Sequence, residues 1–272
     1  MDIIVGSDGF LGRNIKDKFQ NSLCLKKDGI YKNNLKIYED LESCLNNEKI
    51  NTIFNCAVSY NENNIEELNY VNFLLPKKII KIAEKFNIKI IFFGSFSEKF
   101  KTNYRANYVS SKNKFSNYLK ELNNKNIYIL YLEHIYGKYD RLNKFIPYIV
   151  NQIKENKKII LDGPYNIRDF TPVEHITNFC KVVKKNGYKK KFISIGTGVP
   201  QSTINFIAKL ITYYSKQSSF SRDEINKLIE IGNTKIEFID ESFCLEPKLI
   251  KSYTTEYFYN LEKKAIKEIF EY

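Results

Sequence analysis

Two polar side chains four residues apart, Tyr108 and Lys112, are where this chain first suggests chemistry. That spacing places both on one face of a helix. An ammonium beside a phenol favours the phenolate, lowers the phenol's pKa and lets it exchange a proton near neutral pH. The same spacing recurs at Tyr259 and Lys263 in a chain with 20 Tyr, so spacing alone does not decide. Context does. Tyr108 follows the apolar run Ile88–Phe93, which ends in Gly94-Ser95-Phe96-Ser97 and so brings a hydroxyl, Ser95, with Ser97 as the alternative two residues on. Tyr259 lies in a terminal amphipathic segment, where surface or packing is expected.

A second constellation opens the chain: Ile3-Ile4-Val5-Gly6-Ser7-Asp8-Gly9-Phe10-Leu11-Gly12-Arg13. Three glycines at spacing three and three separate an apolar run from a helical stripe of Phe10, Leu11, Ile15 and Phe19. Strand, glycine turn, helix is how a chain aims backbone N–H groups and a helix N-terminus at a phosphate. Glycine suits the turn because it takes positive φ and lets a ligand approach the backbone. About 20 residues past such glycines a dinucleotide fold meets the adenosine ribose. Here that place reads Lys26-Lys27-Asp28. The lysines, with Arg13, suit the 2′-phosphate of NADP; Asp28 leaves NAD open.

These residues need elements to hold them. Strands are expected at 3–5, 22–26, 35–38, 52–57, 88–93 and 127–132. Helices are expected from residue 10, over 65–86 with a kink at Pro76 unless that proline lies near a first turn, and over 105–122. The alternation argues for a parallel sheet covered on both faces, hence a doubly wound α/β core of Rossmann type. Ligands of such sheets bind outside the carboxyl ends of the strands, where Gly6, Asp40, Ala57 and Ser95 are expected. Beyond Tyr136-Gly137 the rhythm loosens: a helix over 143–155, a strand over 158–161, a helix to 185, a strand over 192–195, a helix over 202–214 and a terminal helix. The expected division is a dinucleotide-binding core, 1–137 with 173–196, and a smaller mixed substrate lobe, 138–172 with 197–272.

Composition narrows the function. The net charge is +12, but Lys is spread along the whole length, which points to a solvated surface rather than a nucleic-acid groove. A positive field favours an anionic small substrate. Among the few arginines, Arg168 heads Arg168-Asp169-Phe170-Thr171-Pro172-Val173, and the planar fork of Arg suits phosphate. Five scattered cysteines without Cys-x-x-Cys, and two isolated histidines, His134 and His175, support neither a disulfide framework nor a metal site. No apolar run approaches the roughly 18 residues of a membrane helix, and no secretory signal is evident. A reducing cytoplasm is the expected compartment.

Taken in order, these motifs resemble the extended short-chain dehydrogenase/reductase family, the NAD-dependent epimerase/dehydratase group that acts on nucleotide sugars. Gly6, Gly9 and Gly12 look like its glycine loop, with Phe10, Leu11 and Arg13 beside the cofactor. Asp40-Leu41 resembles its adenine-contacting acid. Asn55-Cys56-Ala57 matches the strand end along the cofactor, and Asn72 a helix asparagine near the active site. Ser95, Tyr108 and Lys112 match the catalytic residues. Ser97, His134 and Arg168 fall at substrate-binding positions, Arg168 toward the diphosphate. Tyr136-Gly137 and Ile195-Gly196-Thr197-Gly198 match two later markers. The chain departs from the pattern at Ser7-Asp8 inside the glycine loop, at Tyr131 and His134, and at Phe96-Ser97 where sugar 4,6-dehydratases carry Asp-Glu. The last departure and the short second lobe resemble deoxysugar 4-ketoreductases more. The resemblance implies hydride transfer from NADPH to a ketone of a nucleotide-linked deoxysugar, at C4, in a homodimer. The alternatives are an NAD-dependent epimerase and a non-catalytic cofactor sensor.

Overall fold

The computed structural model describes residues 1–25, 34–99, 105–234 and 254–272. Lys26, Lys27 and Asp28 therefore lie outside the described residues. The chain divides into two compact units, residues 1–132 with 177–193 and residues 133–176 with 194–272.

The first unit is built on strands whose residues are buried on both faces, which is why they read as nearly continuous apolar runs. β1 (Asp2–Val5) has no exposed residue and pairs in parallel with β2 (Ser22–Leu25) on one side and β3 (Thr52–Asn55) on the other. Ile3 stands opposite both Leu23 and Ile53. β4 (Lys89–Ser95) and β5 (Ile127–Leu132) extend the sheet in parallel, and β6 (Phe192–Ile195) completes the order β6-β5-β4-β3-β1-β2. The chain thus goes out from β1 to β2 and then crosses to β3 on the opposite side, which makes the carboxyl ends of β1 and β3 the topological switch point.

Helices α1 (Phe10–Lys18) and α2 (Asn34–Asn47) follow β1 and β2. The strand expected over 35–38 is part of α2, so Asp40 lies within a helix and not at a strand end. Leu35, Tyr38, Leu41 and Leu45 recur at intervals of three and four, a helical period that a four-residue window cannot reveal. Leu41 and Leu45 are buried.

The long helix expected over 65–86 is three segments: α3 (Ile65–Asn69), a π-helical turn (Tyr70–Leu74) and α4 (Leu75–Glu84). Pro76 lies in the first turn of α4. A proline has no N–H for the carbonyl four residues back, and its ring strikes that carbonyl in a straight α-helix. The wider turn before it absorbs the conflict without a break. A 3-10 turn (Phe96–Lys99) leaves β4, and α5 (Ala106–Glu121) carries Tyr108 and Lys112. The segment 177–193 then closes this unit. Lys184 pairs with Asp2 at 2.5 Å, and the Lys191 ammonium donates to the carbonyls of Leu119 and Leu122 at the end of α5, at 2.7 and 2.8 Å.

In the second unit, α6 (Phe145–Lys154), α8 (Thr203–Ser215) and α10 (Thr255–Glu271) turn apolar stripes into one core with Tyr136 and Phe170. α7 (Val173–Asn186) passes between the units in sequence, and α9 (Arg222–Asn226) is closed by a capping box in which Ser221 and Glu224 satisfy each other's backbone. Short strands pair two by two, His134–Tyr136 with Phe170–Pro172, Ile167–Arg168 with Gln201–Ser202, and Ile159–Leu161 with Ile229–Ile231. Tyr259 on α10 is 62% exposed.

Candidate active site

The glycine turn sits at the switch point. Gly6 has φ +78°, and a Cβ there would stand 2.7 Å from the Ala57 backbone nitrogen. Gly12, in the first turn of α1, is more constrained still: a Cβ would lie 2.1 Å from the Gly6 carbonyl oxygen. Gly9 is different, because a Cβ would meet only an ordinary 3.5 Å contact. Its N–H closes the turn onto Gly6 at 3.2 Å, and it serves as the N-cap of α1. No side chain caps α1 and no acid occupies its first turn, so the first-turn N–H groups of Phe10, Leu11 and Gly12 keep the donors that an α-helix leaves without intrahelical partners. Leu11 is buried and Arg13 exposed. A bare helix N-terminus behind a turn with no room for a Cβ fits the pyrophosphate of a dinucleotide. Cys56 and Ala57 lie just past β3, and burial with the neighbouring Cys180 pushes the Cys56 thiol's pKa up. Leu41 packs in the core of the same unit.

Ser95, Tyr108 and Lys112 come together beyond β4. Tyr108 shares side-chain hydrogen bonds with Ser95 and with Tyr60, whose ring centroid lies 4.9 Å from its own. The Ser95 and Ser97 hydroxyls are 2.7 Å apart. Lys112 is buried and its ammonium donates to the Phe93 carbonyl at 2.6 Å.

The charge states differ from the expectation. Burial, together with Tyr60 and Glu98, pushes the Tyr108 phenol well above its ordinary pKa, against the smaller opposing effect of Ser95. Burial pushes Lys112 down, while Glu98 holds it up. The expected phenolate is therefore overturned: desolvation and the nearby Glu98 carboxylate keep Tyr108 a phenol, the form that donates a proton.

Several groups that spacing does not reveal hold this cluster. The Glu62 carboxylate accepts from the backbone N–H of Asn107 and Tyr108 at 3.2 and 2.9 Å, capping α5, whose N-cap Arg105 has no side-chain cap of its own. Asn72, in the π-helical turn, donates to the Ser59 carbonyl and the Ser111 hydroxyl and accepts from the Ser59 N–H, at 2.9, 3.0 and 3.0 Å. Ser111 in turn donates to the Tyr108 carbonyl at 2.7 Å. The amide of Asn72 is thus spent on the frame under Tyr108. Glu98, three residues after Ser95, accepts from the Ser95 backbone N–H at 2.7 Å. Only an acid placed so soon after the serine hints at this in the sequence.

The second unit holds its own pair. Arg168 hydrogen-bonds the His134 ring, and burial beside that guanidinium pushes the His134 pKa well down, so the imidazole stays neutral and accepts. Asp169, fully buried, accepts from the Thr197 N–H and hydroxyl, the Gly198 N–H and the Thr171 hydroxyl. This fastens the Gly196–Gly198 turn to the segment bearing Arg168. Among the described residues no His, Cys, Asp and Glu cluster suits a metal, and no helix is long and apolar enough to cross a membrane.

A glycine turn at the switch point of a parallel sheet, with Ser, Tyr and Lys beyond a neighbouring strand, places the molecule among Rossmann-type enzymes. The chain belongs to the NAD dependent epimerase/dehydratase family, whose pattern it matches over residues 3–196. It is similar to the CDP-abequose synthase of Salmonella muenchen, 27% identical over 174 residues that make up 59% of each chain. The matching region thus spans less than two thirds of that relative's length. A second CDP-abequose synthase, from Salmonella typhimurium, is 25% identical over 76% of this chain and 79% of its own. The fold is also that of UDP-N-acetylglucosamine 4-epimerase from Methanobrevibacter ruminantium M1, solved with UDP-N-acetylmuramic acid. That likeness has a TM-score of 0.75 and 17% identity over 99% of this chain and 98% of the other.

Proposed function

We propose that this chain reduces a keto group, at C4, of a nucleotide-linked deoxysugar, using NADPH. The observation that carries the reading is the hydrogen-bonded pair of Ser95 and Tyr108, with Tyr108 kept as a phenol and Lys112 held one helical turn away. The relatives named as CDP-abequose synthases support a deoxysugar nucleotide as substrate.

The bound nicotinamide supplies the hydride. Tyr108 donates its phenolic proton to the ketone oxygen as charge develops there, and Ser95 donates a second hydrogen bond to the same oxygen. Lys112, whose ammonium donates to the Phe93 carbonyl one helical turn from Tyr108, is assigned to the nicotinamide ribose. The N–H groups of Phe10, Leu11 and Gly12 hold the pyrophosphate, with Cys56 and Ala57 along the cofactor; Leu41 and Asn72, expected there, are taken up by the core and by the frame under Tyr108. Arg13 with Lys26 and Lys27 supports NADP over NAD. Arg168, oriented by His134, takes the sugar diphosphate, and Ser97 contacts the sugar. This assigns cofactor to residues 1–137 with 173–196 and substrate to 138–172 with 197–272. We further assign the chain to the cytoplasm and to a homodimer through α3–α4 and α5, where the Lys77 ammonium lies 4.9 Å over the Tyr118 ring.

The test is turnover of nucleotide-linked 4-keto-6-deoxysugars with NADPH or NADH, followed by nicotinamide absorbance. Stoichiometric NADPH loss is expected, with Tyr108→Phe lowering kcat by about 10²–10⁴. Sugar interconversion without net cofactor oxidation would identify an epimerase instead. Wild-type turnover in Tyr108→Phe would remove Tyr108 as the proton donor.

A further inference from the structure

One carboxylate in the first unit has no part in the scheme above. Glu98 reaches back from the 3-10 turn after β4. One oxygen accepts from the Ser95 backbone N–H at 2.7 Å and the other from the Ser116 hydroxyl at 2.5 Å. Ser116 stands four residues after Lys112, hence on the same face of α5. It accepts in turn from the Tyr131 hydroxyl at 3.0 Å, so the network also ties in β5. The space is tight: a Cβ on Gly94 would stand 2.7 Å from the Tyr131 ring and 3.1 Å from the Glu98 carboxylate. Glycine at position 94 is what lets the carboxylate and the ring meet under the strand end.

We propose that Glu98 is a positioning residue of this site, its carboxylate clamping the Ser95 backbone and presenting a fixed negative charge to both Tyr108 and Lys112. Three titratable groups feel that charge: Tyr108 and Lys112 on α5 and Tyr131 on β5. Tyr108 also faces Tyr60. The charge opposes loss of a proton from every one of them. Lys112 therefore stays an ammonium despite burial, and Tyr108 stays able to donate. Ser95 is held at the end of β4 by a backbone bond, which keeps its hydroxyl beside those of Ser97 and Tyr108. This inference rests on the reductase reading for its catalytic meaning, but its electrostatic content does not need turnover.

The experiment is Lys112 titration by NMR in 13C-lysine-labelled full-length protein, the signal assigned by its loss in Lys112→Arg. Glu98→Gln keeps the shape and an acceptor for Ser95 but removes the charge. The Lys112 midpoint is expected to fall by roughly one unit. The basic limb of the kcat/KM profile moves the same way, kcat drops, and KM for NADPH stays within about twofold. Glu98→Asp keeps the charge and withdraws it from Ser95: kcat falls while the Lys112 midpoint holds, a result that stands even if Glu98→Gln fails to fold. An unmoved midpoint in Glu98→Gln, or one that falls as far in Glu98→Asp, overturns the proposal. A shifted midpoint in a protein whose wild type turns over no keto sugar upholds Glu98 and overturns the reductase reading.

Discussion

At the scale of single residues, the site is decided by what a side chain's surroundings make of it. Tyr108 and Lys112 were legible because four-residue spacing after a strand ending in serine is a strong local pattern. Their charge states were not, because those depend first on burial and then on neighbours such as Glu98, which fold and not spacing brings about. Nor was Glu62 legible as the cap of α5, since it lies 45 residues before Asn107. The glycines were legible as a group, but the structure ranks them. Gly12 has no room at all and Gly9 has room to spare. Gly12→Ala must push the Gly6 carbonyl aside, so NADPH affinity is expected to fall by at least tenfold with a lower Tm. Gly9→Ala is expected to bind nearly as the wild type does. Fluorescence titration of NADPH measures both, and equal losses in the two variants would refute the ranking.

At the scale of elements, continuous apolar runs announced β4 and β5, because a strand buried on both faces needs apolar residues throughout. The run over 35–38 was too short to show its period and belongs to α2. Pro76 marked a disturbance in the long helix, but a proline does not say whether the chain kinks, stops or widens; packing chose the π-helical turn that carries Asn72. α7 offers a pH test. Its His175 is fully buried, lies 3.3 Å from the Tyr257 hydroxyl on α10, and is pushed by burial from 6.5 down to about 4. Above pH 6.5 the ring is neutral in folded and unfolded chains alike. As pH falls from 6.5 toward 4 the unfolded chain takes up the proton first, so stability is lost through that window and levels off below it. The loss is about 3 kcal/mol. Urea unfolding at pH 7 and pH 4.5 is expected to show a smaller drop for His175→Gln than for the wild type. Equal drops would refute the assignment.

At the scale of the whole molecule, the parallel core was legible from the alternation of elements; in the second unit the helices over 143–155 and 202–214, the strand over 158–161 and the terminal helix were legible too, while the pairing of its two- and three-residue strands was not. The charge of +12 acts at this scale too. The proposed substrate, an anionic nucleotide sugar, would be drawn by the summed field, which salt screens within about 10 Å at 0.1 M. Raising KCl from 50 to 500 mM is expected to lower kcat/KM severalfold with little change in kcat, and a flat profile would show that the field plays no part. The return of segment 177–193 to the first unit bears on how the protein is made. While the chain is being synthesised, β5 is an open edge until β6 has emerged, and Asp2 waits 182 residues for Lys184. An unpaired edge of that kind invites pairing with another chain. The ribosome must therefore deliver the whole stretch from 133 to 176 before the unit begun at residue 1 can be sealed, and a transcript cut short in that stretch yields a sticky fragment rather than a smaller domain.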